Sequence, residues 1–206
     1  MRLVVNATRM ELLRLRRRLS VALRGHKLLK DKQEELLRQF QRLVEENRRR
    51  RREVEERLGE AYQFLLFARG KMGIHRVQEA LLFPSLKLEL EIRFTRILNV
   101  EVPQIDWRME GSPFSYGFAE TVSDLDTGLQ KLVELFPELP KLAQGEEAIR
   151  RLAVEIERTR RRVNALEYVF IPNLKETIKY ITMKLSEMER SDIIRLMRIK
   201  ELVRSR

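Results

Sequence analysis

The sequence predicts a mainly α-helical protein: a long antiparallel two-helix coiled coil made by the N- and C-terminal arms, joined through a small mixed α/β foot with a short β-hairpin. Three observations carry this. Apolar residues recur at alternating steps of four and three near both ends of the chain, the spacing of a left-handed coiled coil. Between them, over residues 86–94, the period switches to two, which marks a strand. The 206 residues are 35% charged and 43% hydrophobic with only 8 Gly and 6 Pro, a mixture that suits solvent-washed helices better than a compact globule. These divide the chain into an arm at 1–72, a foot at 73–145 and a second arm at 146–206.

The first arm opens on Thr8-Arg9-Met10-Glu11, a capping-box pattern in which Thr8 and Glu11 satisfy each other's free backbone amides. No proline follows until Pro84. Leu15, Leu19, Ala22, Leu29, Leu36, Phe40, Leu43, Val54, Ala61 and Leu65 form the seam, with polar His26, Gln33, Asn47, Arg50 and Arg57 at the intervening seam positions. Polar seam residues set register at some cost in stability. An arm of about 60 residues is roughly 90 Å long at the α-helical rise.

In the foot, Leu86, Leu88, Leu90, Ile92 and Phe94 alternate with charged or polar residues, predicting a half-buried strand. Val100, Val102, Ile105, Trp107 and Met109 predict a second, with the turn near Asn99 and Pro103 suited to an edge. Helical spacing returns over 119–135, with Val122, Leu125, Leu129 and Leu132 on one face, and Pro137 and Pro140 end it. Gly70-x-x-Gly73 marks a bend or the end of the first arm.

The second arm is expected to begin near Glu146, with its seam at Ile149, Ala153, Ile156, Val163, Phe170, Leu174, Ile181, Leu185, Met188 and Ile199. Pro172 predicts a kink or short break, because an interior proline removes a hydrogen bond and crowds the carbonyl four residues back. Arms of equal length bring the two chain ends together at one tip.

The net charge of +11 is uneven. Residues 1–60 hold 18 basic and 10 acidic groups (net +8), residues 61–145 hold 9 and 11 (−2), and residues 146–206 hold 15 and 10 (+5). Basic ends attract nucleic acid, anionic lipid or an acidic protein cavity, and charge alone does not choose among them. The chain has no cysteine, so disulfides and thiolate metal sites are excluded. The start lacks the apolar core of a signal peptide, and no run of 18 apolar residues occurs, so a soluble, cytoplasmic protein is expected.

Catalytic constellations and phosphate-binding Gly-rich loops are missing, and His26 and His75 fall on different elements without metal-ligand neighbours. No cofactor or metal is expected. The Arg48–Arg52 run admits phosphate contact, but Glu45, Glu46, Glu53, Glu55 and Glu56 surround it at helical spacing, which favours a solvated helix face. The cluster from Arg158 to Arg162 follows Glu155 and Glu157 and reads the same way. The end of the second arm differs. Arg190, Arg195, Arg198, Lys200, Arg204 and Arg206 are interleaved with Ile193, Ile194, Leu196, Met197 and Ile199, more cations than a helix dipole requires. Ile194, Arg195, Leu196, Arg198, Ile199 and Lys200 are the candidate partner-binding residues.

Both arms carry a resemblance to a known family. Arg161-Arg162-Val163-Asn164-Ala165-Leu166-Glu167-Tyr168, followed by Ile171-Pro172 and Leu174-Lys175-Glu176-Thr177-Ile178, resembles the C-terminal helix of the D subunit, the central rotor shaft, of rotary V/A-type ATPases. Leu185-Ser186-Glu187-Met188-Glu189-Arg190 fits as its continuation. Thr8-Arg9 and Gly25-His26-Lys27-Leu28-Leu29-Lys30-Asp31-Lys32 are similar to the same family's first helix, with Ala7 where the family often has proline. The resemblance implies a non-catalytic central-stalk rotor component coupling ATP hydrolysis or synthesis to rotation of the membrane ion-translocating ring. Its implied partners are the catalytic and non-catalytic hexamer subunits around the tip, the small central-stalk F subunit on the lower shaft, and a socket subunit linking the foot to the membrane rotor ring. It leaves no role for nucleic acid or direct membrane insertion and places the chain in the cytoplasm, peripheral to the membrane in a membrane-bound complex. A basic helical arm that binds RNA and a purely structural coiled-coil protein are the alternatives.

Overall fold

The computed structural model describes residues 5–117 and 121–204. Helix α1 spans Arg9–Met72 and α2 Ile74–Leu81; strands β1 and β2 span Lys87–Ile97 and Val100–Glu110; α3 spans Ser123–Leu135 and α4 Glu138–Asn164. A π-helical turn, Ala165–Phe170, leads into α5, Ile171–Arg204. The chain divides into two compact units, one from the described parts of Met1–Glu35 and Ile156–Arg206, the other Leu36–Glu155.

Helix α1 starts where its cap dictates. Thr8 Oγ1 accepts the Glu11 N–H at 3.2 Å, one half of the expected capping box. The Thr8 N–H goes instead to the Asn6 carbonyl at 3.0 Å, and Glu11 lies 3.7 Å from Arg14. The helix stops at Met72 because Gly73 has φ 81° and ψ 159°, a conformation reserved for glycine.

In the first unit α1 and α5 run antiparallel: Arg9 is level with Glu189 at 2.6 Å and His26 with Glu167 at 3.2 Å. Leu15 and Ala22 pack with Ile171, Leu174 and Ile181, flanked by Leu19, Ile178 and Leu185. Burying one such side chain contributes about 1.5–3 kcal/mol, whereas an exposed ion pair contributes about 0–1, so the apolar seam holds this pair together. Thr177, fully buried, satisfies its hydroxyl by donating to the Asn173 carbonyl at 2.7 Å.

Phe170 was expected in the seam and is 46% exposed, while Ile171 is buried. The π-turn is the reason. The Ile171 N–H bonds to the Leu166 carbonyl, five residues back, so this turn holds one residue more than an α-turn. Seven residues after Val163 the seam therefore lands one position late, on Ile171, and Phe170 is rotated outward. Pro172, which has no N–H to donate, sits directly after the wide turn, so the expected break takes the form of a π-turn with the helix continuing.

The helix ends are offset rather than level. Beyond Glu189, α5 continues to Arg204, about 20 Å past the start of α1. Met188 and Ile199, both expected in the seam, are exposed.

In the second unit α1 is paired by α4 and α3, again antiparallel: Arg51 with Glu146 at 3.6 Å, Glu60 with Lys131 at 2.6 Å, and Lys71 with Asp124. Helix α4 begins at Glu138, ahead of the expected start near Glu146, because Pro140 stands in its first turn, where no backbone donor is required. The buried row of α4 is Ala148 and Leu152, with Ala153 exposed, a face set by Gly145 meeting Asn47 of α1. Helix α3 buries Leu125, Gly128 and Leu135. Residues 119–120 of the helix expected from 119 lie outside the described residues, and α3 itself opens at Ser123.

Strands β1 and β2 form the expected antiparallel hairpin, Lys87 opposite Glu110 and Ile97 opposite Val100. Its two-residue turn, Leu98 and Asn99, has positive φ at both positions, as a type I′ turn demands. The hairpin rests on α4 through Arg151, which donates to the Glu101 carbonyl at 3.0 Å and lies 5.3 Å from the centre of the Phe94 ring, and through Gln144, which accepts the Ile105 N–H. Trp107 meets Phe136 edge-on at 6.1 Å. Burial falls on Val100 and Val102 of β2, not on β1. Leu88, Leu90, Ile92 and Phe94 are 41–60% exposed, so the strand expected to be half-buried has its apolar row uncovered.

Candidate functional site

The six candidate residues all lie on the part of α5 that runs beyond Arg9, and all are exposed. Ile194, Leu196 and Ile199 are 55%, 65% and 56% exposed, and Arg195 reaches Asp192 at 3.8 Å. Helical geometry pairs each apolar residue with a cation four positions away: Ile194 with Arg198, Arg195 with Ile199, Leu196 with Lys200. The set therefore does not form one apolar face with one basic face. Apolar and cationic groups alternate around the helix. Ile193, Met197 and Val203 add exposed apolar surface on the same stretch. A helix that is apolar on every side needs covering on every side. Arg206 lies outside the described residues.

A second surface was not expected. Along α1, Met10, Leu13, Arg14, Arg17, Arg18 and Val21 form one wall of a groove of roughly 1100 Å³, with Gly25 at its end and Leu166 and Phe170 of the π-turn on the other side. Met10, Leu13 and Val21 are 78%, 54% and 60% exposed. Among the described residues Glu11 is the one acid lining it. Arg14 has Glu11 beside it, whereas Arg17 and Arg18 have no ion pair among the described residues. Gly25 stands inside a helix, where glycine costs about 1 kcal/mol relative to alanine, and a Cβ there would meet nothing within 4 Å. The fold of this chain supplies no reason for the missing side chain. Off-seam Met10, Leu13 and Val21 were the sequence signal for the groove, but its far wall needs Phe170 turned out.

The arginine runs behave as solvated faces. Arg51 pairs with Glu55 at 3.2 Å and Arg161 with Glu157. Near the hairpin, hydrogen bonds from Arg150 and Arg151 hold the Glu147 carboxyl down to about 2. Burial, with Asp126 accepting its hydroxyl at 2.6 Å, pushes Tyr116 well above the usual phenol range. Among the described residues no group of three His, Asp or Glu side chains could hold a metal ion, and no helix is long and apolar enough to cross a membrane.

Comparison with known proteins is unambiguous. The family described as the ATP synthase D subunit matches residues 11–201. The V-type ATP synthase D subunit of Thermoanaerobacter sp. (strain X514) is 49% identical over 201 residues, covering 97% of this chain and 96% of its own. Proteins of the same name from Acetivibrio thermocellus (49% over 203 residues; 97% and 91%) and Clostridium botulinum (strain Alaska E43 / Type E3; 46% over 210 residues; 100% and 99%) are similar along nearly their whole lengths.

Proposed function

The chain belongs to the D-subunit family of V-type ATP synthases, and from that premise we propose that it is the central-stalk rotor, the axle through which the catalytic hexamer and the membrane ion-translocating ring exchange torque. The observation that carries this reading is the end of α5. It runs past the start of α1 with apolar and cationic side chains exposed on every side. Such a helix end fits a sleeve that surrounds it, and a ring of catalytic and non-catalytic subunits is a sleeve. Ile194, Leu196 and Ile199 would bear on its wall, while Arg195, Arg198 and Lys200 would face acidic groups or wetted gaps, because a charge enclosed by protein needs a partner or water.

In this reading the arms (1–72 and 146–206) transmit torque and the foot (73–145) attaches to a socket subunit above the membrane ring, with the small F subunit on the shaft between. No residue of the chain would be catalytic. The protein would work in the cytoplasm, peripheral to the membrane. Coupling is then differential contact free energy: each shaft angle favours a different conformation in each surrounding subunit. The test is a chain ending at Met188. The α1–α5 seam up to Leu185 remains, so its melting temperature by circular dichroism should change little, while assembly and ions pumped per ATP hydrolysed should fall. Unchanged assembly with unchanged pumping would remove the tip from the mechanism.

A further inference from the structure

The groove beside the π-turn points to a docking site separate from the tip. Its floor is apolar, and its α1 wall carries three arginines against one glutamate. Two of those arginines lack an ion pair among the described residues, and Gly25 leaves the end of the groove open. We propose that this groove receives an amphipathic segment of another subunit of the complex, its carboxylates facing Arg14, Arg17 and Arg18 and its apolar side chains covering Met10, Leu13 and Phe170. Charge complementarity selects an acidic segment, since an arginine wall with so little acid beside it can pair bidentately with incoming carboxylates. The exposed apolar side chains select protein over a bare polyanion, because a phosphate backbone would leave them uncovered. The missing side chain at Gly25 lets the incoming backbone approach α1 closely. The π-turn completes the site: with an ordinary α-turn, Phe170 would sit in the seam and Leu166 alone would stand on the far side. This inference rests on the reading of the chain as one component enclosed by others.

The experiment uses the reconstituted complex with two variants, R17E/R18E and G25L. Reversing both charges should weaken binding to the remaining assembled subunits by about tenfold or more at low salt, the difference from the unsubstituted chain shrinking as salt rises. Filling the groove with G25L should weaken it as well, although leucine favours helix, so the isolated variant should melt no lower than the original. Wild-type assembly by both variants would overturn the proposal. So would binding of a single-stranded RNA oligonucleotide that R17E/R18E abolishes while assembly is unaffected, which would make the groove a nucleic-acid site. The chain ending at Met188 separates this site from the tip. Normal groove variants beside an uncoupled truncation remove the groove and leave the rotor reading, and weakened groove variants beside a normal truncation do the reverse.

Discussion

Asn47 of α1 lies directly against Gly145 of α4, and its side-chain oxygen occupies the space a Cβ at residue 145 would take. Asn47 is 9% exposed, and its Oδ1 accepts no hydrogen bond from the described residues. A polar seam residue that fits only opposite a glycine fixes one register and penalises others, at a cost in stability. Gly145→Ala should therefore lower stability by about 1–3 kcal/mol through overpacking. Adding Asn47→Ala should recover most of the loss, and a double-mutant cycle by chemical denaturation measures the coupling.

The offset of the helix ends gives a geometric prediction. Cysteines at positions 9 and 189 should form a crosslink within one chain, because Arg9 and Glu189 are in contact. Cysteines at positions 8 and 203 should not, since α5 has run about 20 Å past α1 by then. Mass spectrometry of the oxidised chains distinguishes the two results, and the reverse pattern would mean that the helices pair in another register.

The seam of α1 was legible because nothing interrupts its repeat from Leu15 to Ala61, and a fixed period projects onto a fixed face. The hairpin was equally plain, since alternation over 86–94 and Asn99 at the turn act locally. In the second seam a fixed period locates Val163, Leu174 and Ile181 and misses at Phe170, because it presupposes a constant number of residues per turn. One extra residue beside Pro172 breaks that assumption, and no composition rule marks where it goes. The exposure of β1 was not legible for a different reason: alternation shows that a strand has an apolar face, not that its own chain covers that face. The groove depends on the first of these, an outward Phe170, beside apolar side chains of α1 that lie outside its seam.

The π-turn carries its own test. Removing Val169 together with Pro172→Ala should leave a continuous α-helix with Ile171, Leu174 and Ile181 still in the seam. The isolated chain should then be as stable as the original or more so, because an interior proline costs about 3 kcal/mol in a regular helix. Thermal melts and amide hydrogen exchange across 163–175 read this out. A large loss of stability would show that the wide turn is required for the seam to close.

Glu147 predicts a titration. Its folded-state value is lowered from 4.5 to about 2 by hydrogen bonds from Arg150 and Arg151. The contribution of these contacts is present above about pH 4.5 and lost as pH falls toward 2, the sign expected for a depressed carboxylate. Glu147→Gln should flatten the acid limb of the stability curve in that window: its cost, small because the pair is exposed, is greatest above about pH 4.5 and vanishes as pH falls toward 2. Carbon-detected NMR titration of the carboxyl checks the value directly.

The uncovered row of β1 has a consequence for how the protein is made. A long strand whose outer edge pairs with no strand among the described residues, and which exposes four apolar side chains, is a template for pairing with any other extended chain. A copy synthesised in excess of its assembly partners carries that template into the cell with nothing to cap it. Supply of this chain matched to that of its partners, or its prompt capture or degradation when alone, is the condition under which such a surface is tolerable. Overproduction of the chain by itself should accordingly yield aggregates that Leu90→Lys with Ile92→Lys relieves without lowering the melting temperature.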